Sequence, residues 1–319
     1  MKASAVKPVA CLFLKELGIT LLLLLGVSLT VFVIIYLSPG DPFSILLQGE
    51  MGARAVNGVR EAMGVSTAWY AQYLSWLGRM LRGNFGTSIR TGLPVLREVI
   101  RVGINTLLLT VGSMLVTLLI AVPIALFSAR QGMNLHNWVF TMVAYVFSAL
   151  PVFWLGYIVI YFFMHTFGLF PIAFGFSSTQ RLSWLYILLP VAVLGIGNGT
   201  MSEIVRSLRE EMARVFTEDY IRTALAKGAS VWRHAFKEGF LIPITGIIAS
   251  KIPFILGGAV VVEQVFNWPG MGRMAWQAAQ DRDYPLIMGI TILAALIVRM
   301  GSMLQRMVYV TVNPRASKE

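Results

Sequence analysis

Charge is scarce in this sequence. Only 13% of its 319 residues are Asp, Glu, Lys or Arg, about half the roughly one quarter usual in soluble domains. Hydrophobic residues make up 57% and the mean hydropathy is +0.73. Those values exclude a soluble globular protein, and they exclude intrinsic disorder, which needs low hydrophobicity. Cysteine is nearly absent. Cys11 stands alone, so no internal disulfide and no Cys-based metal site can form. Beside an apolar run it reads as a small filler, with palmitoylation as the sharper alternative. His136, His165 and His234 are far apart in sequence, and no pairing of His with Ser, Cys or carboxylate suggests catalysis. Neither a metal nor a cofactor is expected. A Gly-x-x-x-x-Gly-Lys-Ser/Thr phosphate loop is missing, so the chain is not expected to hydrolyse ATP. Acidic residues are the rarer sign, 15 against 26 basic for a net +11. In a soluble protein that excess would suggest nucleic acid. Here topology is the first explanation to try, and no nucleic-acid partner is expected.

What the sequence has is long hydrophobic runs. Leu17 to Leu37 is 21 uncharged positions, enough to cross roughly 30 Å of hydrocarbon. The run is too long for a signal h-region and no small-x-small cleavage site follows, so it reads as a retained first helix. Further runs are Ile104–Ala129, a third from near Trp138 past Thr166, Leu182–Ser202, Phe240–Val262 interrupted by Lys251, and a sixth from near Pro285 to about Tyr309 carrying Arg299. The reading is an all-α integral membrane protein with six transmembrane helices. Pro123, Pro151, Pro190 and Pro253 fall inside these runs, where prolines kink helices and neighbouring helices satisfy the freed carbonyls.

Basic residues set the orientation. With the N-terminus inside, 14 of the 26 lie on cytoplasmic segments, seven of them between Arg206 and Lys237, against Arg181, Arg273 and Arg282 on the two short outer loops. The long outer segment holds seven more, but it exceeds about 60 residues, beyond which loop charge stops governing topology. Both termini are therefore read as cytoplasmic. The chain divides into 1–37 (N-terminus and first helix), 38–103 (outer segment), 104–310 (five-helix core, with a cytoplasmic loop at 203–239 and an outer loop at 266–284) and 311–319 (cytoplasmic tail).

Ser38-Pro39-Gly40-Asp41-Pro42 is turn chemistry where the chain leaves the membrane. Within Trp69–Leu81, Trp69, Tyr73, Trp76, Leu77 and Met80 recur at the spacing of an amphipathic helix, packed on the protein's own outer face or lying on the membrane surface. Gly83 to Ser88 closes it as a loop. A turn at Asn267 to Gly272 leads into a short helical pattern, Arg273 to Gln280. In 203–239, seven basic and six acidic residues mark a solvated segment. Glu218-Asp219 can start a helix, since carboxylates favour its positive end. Good helix formers follow to Lys227, Gly228 breaks the helix, and a second runs roughly Val231–Lys237. Thr223, Ala224, Ala226 and Ala229 leave a face another protein could approach closely.

Glu218 to Gly228 (Glu-Asp-Tyr-Ile-Arg-Thr-Ala-Leu-Ala-Lys-Gly) resembles the Glu-Ala-Ala…Gly loop of ABC importer permeases, in the variant of the dipeptide/oligopeptide/nickel family. The resemblance extends over almost the whole chain: Leu37 to Pro42, Gln72-Tyr73 with Trp76-Leu77, Gly86-Thr87-Ser88, Pro151 to Gly156, Val261-Val262-Glu263, Trp268 to Arg273, and Arg282 to Pro285. It implies a type I importer permease in the bacterial cytoplasmic membrane, with peptides or peptide-like solutes as cargo, working by alternating access. It implies as partners a homologous second permease, two cytoplasmic ABC ATPases that bind the ATP, an external solute-binding protein, and membrane lipid. It also implies ATPase contacts at Tyr220, Arg222, Thr223, Ala224, Lys227 and Gly228. The chain departs from the general motif at Arg222, which stands where that motif has Glu, although Arg is usual in the peptide subgroup. Gly228–Pro243 is shorter than usual, Ser302 and Arg306 align with Asn and Asp, and Asn313 replaces the Asp of the usual Asp-Pro-Arg ending.

Lys251 and Arg299 are not explained by topology. A charge near mid-membrane costs about 2.5–3.5 kcal/mol or more and faces a cavity or a partner. Lys251 is a candidate for the translocation path, drawing an anionic group of the substrate. For both residues the plainer reading is snorkelling or an ion pair with the partner permease. A secondary transporter using Lys251 and Arg299 as ion sites, or an integral-membrane enzyme, are the alternatives.

Overall fold

The computed structural model describes residues 6–38, 68–131, 135–168, 183–197, 199–230 and 235–312. The turn at Pro39–Pro42, the start of the helix expected from Val231 and the Asn313-Pro314-Arg315 ending lie outside them, as does the side chain of Lys251.

The described chain is helical throughout, and its one sheet-like feature is an isolated bridge between Thr87 and Pro94. In order the helices are α1 (Val6–Leu37), α2 (Trp69–Leu81), α3 (Val95–Gln131), α4 (Leu135–Ala149), α5 (Val152–Phe167), α6 (Ser183–Ile196), α7 (Thr200–Phe216) and α8 (Asp219–Ala226). A π-helical turn, Phe236–Leu241, feeds α9 (Ile242–Val265), followed by α10 (Met271–Gln280) and α11 (Tyr284–Val312). Helices close their own backbone hydrogen bonds, which hydrocarbon requires. Three of them carry stretches long and apolar enough to cross a membrane: Phe13–Leu37, Val95–Ala129 and Tyr284–Leu304. Two bent pairs raise the number to five if each is one span, α4 with α5 at 100° and α6 with α7 at 52°. The 100° bend falls at Leu150–Pro151, where Pro151 caps α5 and offers no N–H to continue α4.

The chain divides into two compact units. The first holds residues 1–105 and 270–299. Its core joins Val95, Val99 and Val102 of α3 to Met271 and Ala278 of α10 and Leu286 and Ile290 of α11. Gly289 is required there, because a Cβ would collide with Val95. A second cluster seats α2 through Tyr73 and Trp76 against Met288 and Ile292, with Val31, Phe32 and Ile35 of α1. The Tyr73 and Ser28 hydroxyls are 2.9 Å apart. So α2 packs on the protein, and the polar Ser75 and Arg79 are exposed on its other side.

The second unit holds residues 106–269 and 300–319. Its largest cluster packs α5 on α6 and α9 through Leu155 and Ile160, Val193 and Leu194, and Val262 and Phe266. The helices sit close at glycines. Thr117 Oγ1 of α3 donates to the Gly195 carbonyl of α6 at 2.6 Å, and a Cβ on Gly195 would lie 2.7 Å from the Ser113 carbonyl oxygen.

Candidate functional site

The α7–α8 hairpin carries a polar surface of the second unit. Helix α7 starts at Gly199, whose φ of 71° is a left-handed conformation that glycine adopts freely. Ser148 Oγ accepts from the Ser202 N–H at 3.1 Å, and Ser202 Oγ donates to the Gly199 carbonyl at 2.9 Å. Met201, Ile204, Val205, Leu208, Met212 and Val215 are buried at three- and four-residue intervals, one face of a 3.6-period helix. They anchor α7 against Ala121 and Ala144 at one end and against Ala125 and Ile244 at the other. Arg206, Glu210 and Arg214 stay exposed. Glu211 accepts from Arg214 Nε and Nη2 at 3.1 and 2.8 Å. That hydrogen bond, and then the carboxylate charge, raises the already high pKa of the guanidinium.

Thr217 and Glu218 turn the chain, with Thr217 Oγ1 donating to the Arg214 carbonyl at 2.7 Å. Helix α8 then runs for eight residues and buries only Ile221 and Ala224. Ile221 packs on Val215 and Ala235, with Phe216 and Tyr220 alongside. The helix ends in a Schellman motif: the Ala229 N–H donates to the Ala224 carbonyl at 2.9 Å and the Gly228 N–H to the Leu225 carbonyl at 3.0 Å. This closure needs a left-handed residue after the last turn, and Gly228 supplies it at φ +66°. The same closure recurs at Asn267 (φ 54°) after α9 and Arg282 (φ 52°) after α10.

Of the residues singled out from sequence, Arg222, Thr223, Lys227 and Gly228 lie on the exposed side of α8. Ala224 is 4% exposed and faces inward, so it sets how closely α8 sits on its own support. Tyr220 is half-buried beside Ile221. The Arg222–Asp219 ion pair, 3.5 Å long and solvent-exposed, contributes little. Leu225, 60% exposed in the middle of the outward face, was not singled out; its signal is its position one residue after the inward Ala224.

Arg299 finds its counter-charge within the chain. Its Nη2 lies 3.0 Å from Glu16 Oε2 of α1, and Nε and Nη2 lie 3.3 and 3.4 Å from Thr20 Oγ1. Thr20 Oγ1 in turn donates to the Glu16 carbonyl at 2.7 Å. Glu16 is 4% exposed. Neither snorkelling nor a bond to a second permease is needed for Arg299. A second buried carboxylate, Glu263 on α9, accepts from Thr106 Oγ1 at 2.7 Å. In the first unit Asp283 accepts from Ser88 Oγ, from the Arg90 N–H at 3.2 Å and from the Leu286 N–H at 3.2 Å. It thereby caps α11 and pins the loop after α2, while Arg90 adds a 2.7 Å ion pair to Asp281.

Spanning helices, a charge pair inside the apolar layer and a small helix held out on an amphipathic arm define a polytopic membrane protein. Comparison with known proteins gives the family. Residues 121–318 match the binding-protein-dependent transport system inner membrane component, and residues 10–96 match the N-terminal domain of the same transport membrane components. The chain is 36% identical over 303 residues to an oligopeptide transport system permease protein of Bacillus subtilis, covering 92% of this chain and 95% of the relative. It is 31% identical over 295 residues to a glutathione transport system permease protein of Salmonella choleraesuis (91% and 94%) and 29% identical over 331 to a dipeptide transport system permease protein of Alkalihalophilus pseudofirmus (95% and 98%). The chain belongs to the binding-protein-dependent transport system inner membrane component family. It is a multi-pass protein of the bacterial inner membrane and the permease component of a multi-subunit ABC transporter, not an enzyme.

Removing one partner of a buried ion pair leaves an uncompensated charge, at a cost of about 3–5 kcal/mol. Arg299→Ala is predicted to destabilise the purified protein in lipid nanodiscs on that scale, read by thermal denaturation. The double variant Glu16→Gln/Arg299→Met should recover most of the loss. An Arg299→Ala protein as stable as wild type would show that the pair is idle.

Proposed function

We propose that this chain is one of two permease subunits of an ATP-driven importer for peptides. The relatives that cover it nearly end to end carry the names oligopeptide, dipeptide and glutathione permease, and all three cargoes are peptides. That agreement carries the reading. An external binding protein delivers the peptide. Two cytoplasmic ATPases bind and hydrolyse ATP, and a homologous second permease completes the path. The proposed topology has six spans and cytoplasmic termini. Helix α9, with 24 residues about 36 Å long, supplies the span beyond the five described above, and the basic residues orient the bundle.

The coupling contact is assigned to α8. An exposed face of Arg222, Thr223, Leu225 and Lys227 on an eight-residue helix suits a groove on an ATPase. The buried stripe of α7 makes a stiff arm that carries α8's displacement to the spans. The chain itself makes and breaks no covalent bond; its work is a shift between two packings of the helices. Gly228→Trp forces a bulky side chain into a left-handed site and re-angles α8. It is predicted to lower peptide uptake at least tenfold while the ATPases continue to turn over. Uptake that stays tied to hydrolysis would remove α8 from the coupling path.

Lys251 of α9 is proposed to line the translocation path and to draw the C-terminal carboxylate of a peptide. Lys251→Glu should depress uptake more than Lys251→Ala, with assembly of the complex unchanged on gel filtration. Equal kinetics in both variants would contradict the assignment. An ion-coupled secondary transporter needs Lys251 and Arg299 as free sites, and Arg299 is already paired to Glu16.

A further inference from the structure

Helix α5 presents two unlike faces. On one, Val152, Leu155, Gly156 and Ile160 are buried. A Cβ on Gly156 would come within 2.9 Å of Val265, so α5 lies tight on α9. On the other, Trp154, Tyr157, Tyr161 and His165 are exposed. Their spacing of three, four and four residues places them in one line along the centre of the open face. Ile158 and Phe162 flank the line on one side. Tyr161 and His165 stack with ring centroids 5.7 Å apart and planes 3° from parallel. Among the described residues neither tyrosine hydroxyl makes a hydrogen bond.

This is not the chemistry of a lipid-facing surface. Mid-helix, the open faces of α1 and α3 are aliphatic, with Leu21, Leu22 and Leu25 on α1 and Leu108, Leu115 and Leu119 on α3, and their exposed aromatics, Phe13, Tyr36 and Phe127, stand toward the helix ends. Interfacial tyrosines and tryptophans gather at the ends of a span. Tyr157 and Tyr161 instead flank the midpoint of α5, within about 4 Å of it along the axis. A hydroxyl turned into hydrocarbon has no partner, so this stripe needs a neighbour that is wet or polar.

We propose that the Trp154–Tyr157–Tyr161–His165 stripe is a peptide track, the wall of the translocation path along which the cargo's backbone slides. The proposal rests on the peptide-importer reading above. Flat rings offer surface to planar amides and side chains alike, as aromatic platforms do elsewhere. The hydroxyls and the imidazole offer donors and acceptors for backbone carbonyls and N–H groups. Such a surface recognises what all peptides share and is indifferent to their sequence. The four side chains extend over 12 residues, about 16 Å of helix from first to last, the length of roughly five extended residues.

The test uses the whole complex with Cys11→Ser, which removes this chain's one native thiol. ATP-driven uptake of trialanine by that parent checks the importer reading by itself. Single cysteines are then placed at 157, 161 and, as controls, at 162 and on the α3 face at 119. During turnover a charged, water-soluble methanethiosulfonate should label 157 and 161 at least ten times faster than 162 and 119, and excess trialanine with binding protein should slow that labelling. Equal rates at all four positions mean a lipid-facing surface and overturn the track. Protection of 157 and 161 that lasts until the complex is dissociated in detergent means a face covered by the second permease, and also overturns it. Tyr157→Phe and Tyr161→Phe keep ring and volume, so the fold is preserved. Loss of one hydrogen bond should raise the KM for trialanine about 2–10-fold, and an unchanged KM in both contradicts the track.

Discussion

Hydrocarbon offers no partner to a polar group, and the arrangement of this protein follows from that constraint. Hydroxyls along α3 bond back to the carbonyl four residues earlier: Thr110 to Thr106, Ser113 to Leu109, Thr117 to Ser113. Two hydroxyls also join helices: Thr117 shares its one proton between the Ser113 and Gly195 carbonyls, and Thr106 donates to Glu263. Glu16 and Arg299 are the strongest case. A lone charge at either position would be expensive; together, with Thr20, they tie α1 to α11. Polar residues in the apolar layer thus act as fasteners between helices that lipid would otherwise leave indifferent to one another.

The hairpin of α7 and α8 obeys the opposite rule. Its arm is buried by a stripe of apolar residues, and its tip is held by little more than Ile221, Ala224 and the Schellman closure at Gly228. A stiff arm with a lightly packed tip transmits displacement, because packed helices have discrete arrangements and do not deform continuously. On the proposed coupling role of α8, motion from ATP chemistry in other subunits arrives through a few residues on one exposed helix face.

Much of this was legible in the sequence where a local pattern decides the outcome. Long apolar runs mark α1, α3 and α11, aromatic spacing marks α2 at Trp69–Leu81, and Glu218-Asp219 with Gly228 bound α8. Other features depend on pairing across the chain. Helix α7 hid in a segment read by its charge content, although Met201 to Val215 carry a clear 3.6-residue period. The bend at Leu150–Pro151 lies inside continuous hydropathy. Glu16 sits just outside the first apolar run, next to Lys15, and nothing local connects it to Arg299, 283 positions away. The stripe on α5 was likewise concealed, since tyrosines and tryptophans count as hydrophobic until the buried face is known.

The central claim is that transport by this chain draws its energy from ATP bound elsewhere. The most direct measurement is uptake of radiolabelled trialanine into proteoliposomes. Vesicles holding the complete complex are set beside vesicles holding this chain alone under an imposed proton or sodium gradient. The account predicts accumulation only in the former, and only with binding protein outside and ATP on the ATPase side. Gradient-driven accumulation by the chain alone would contradict it.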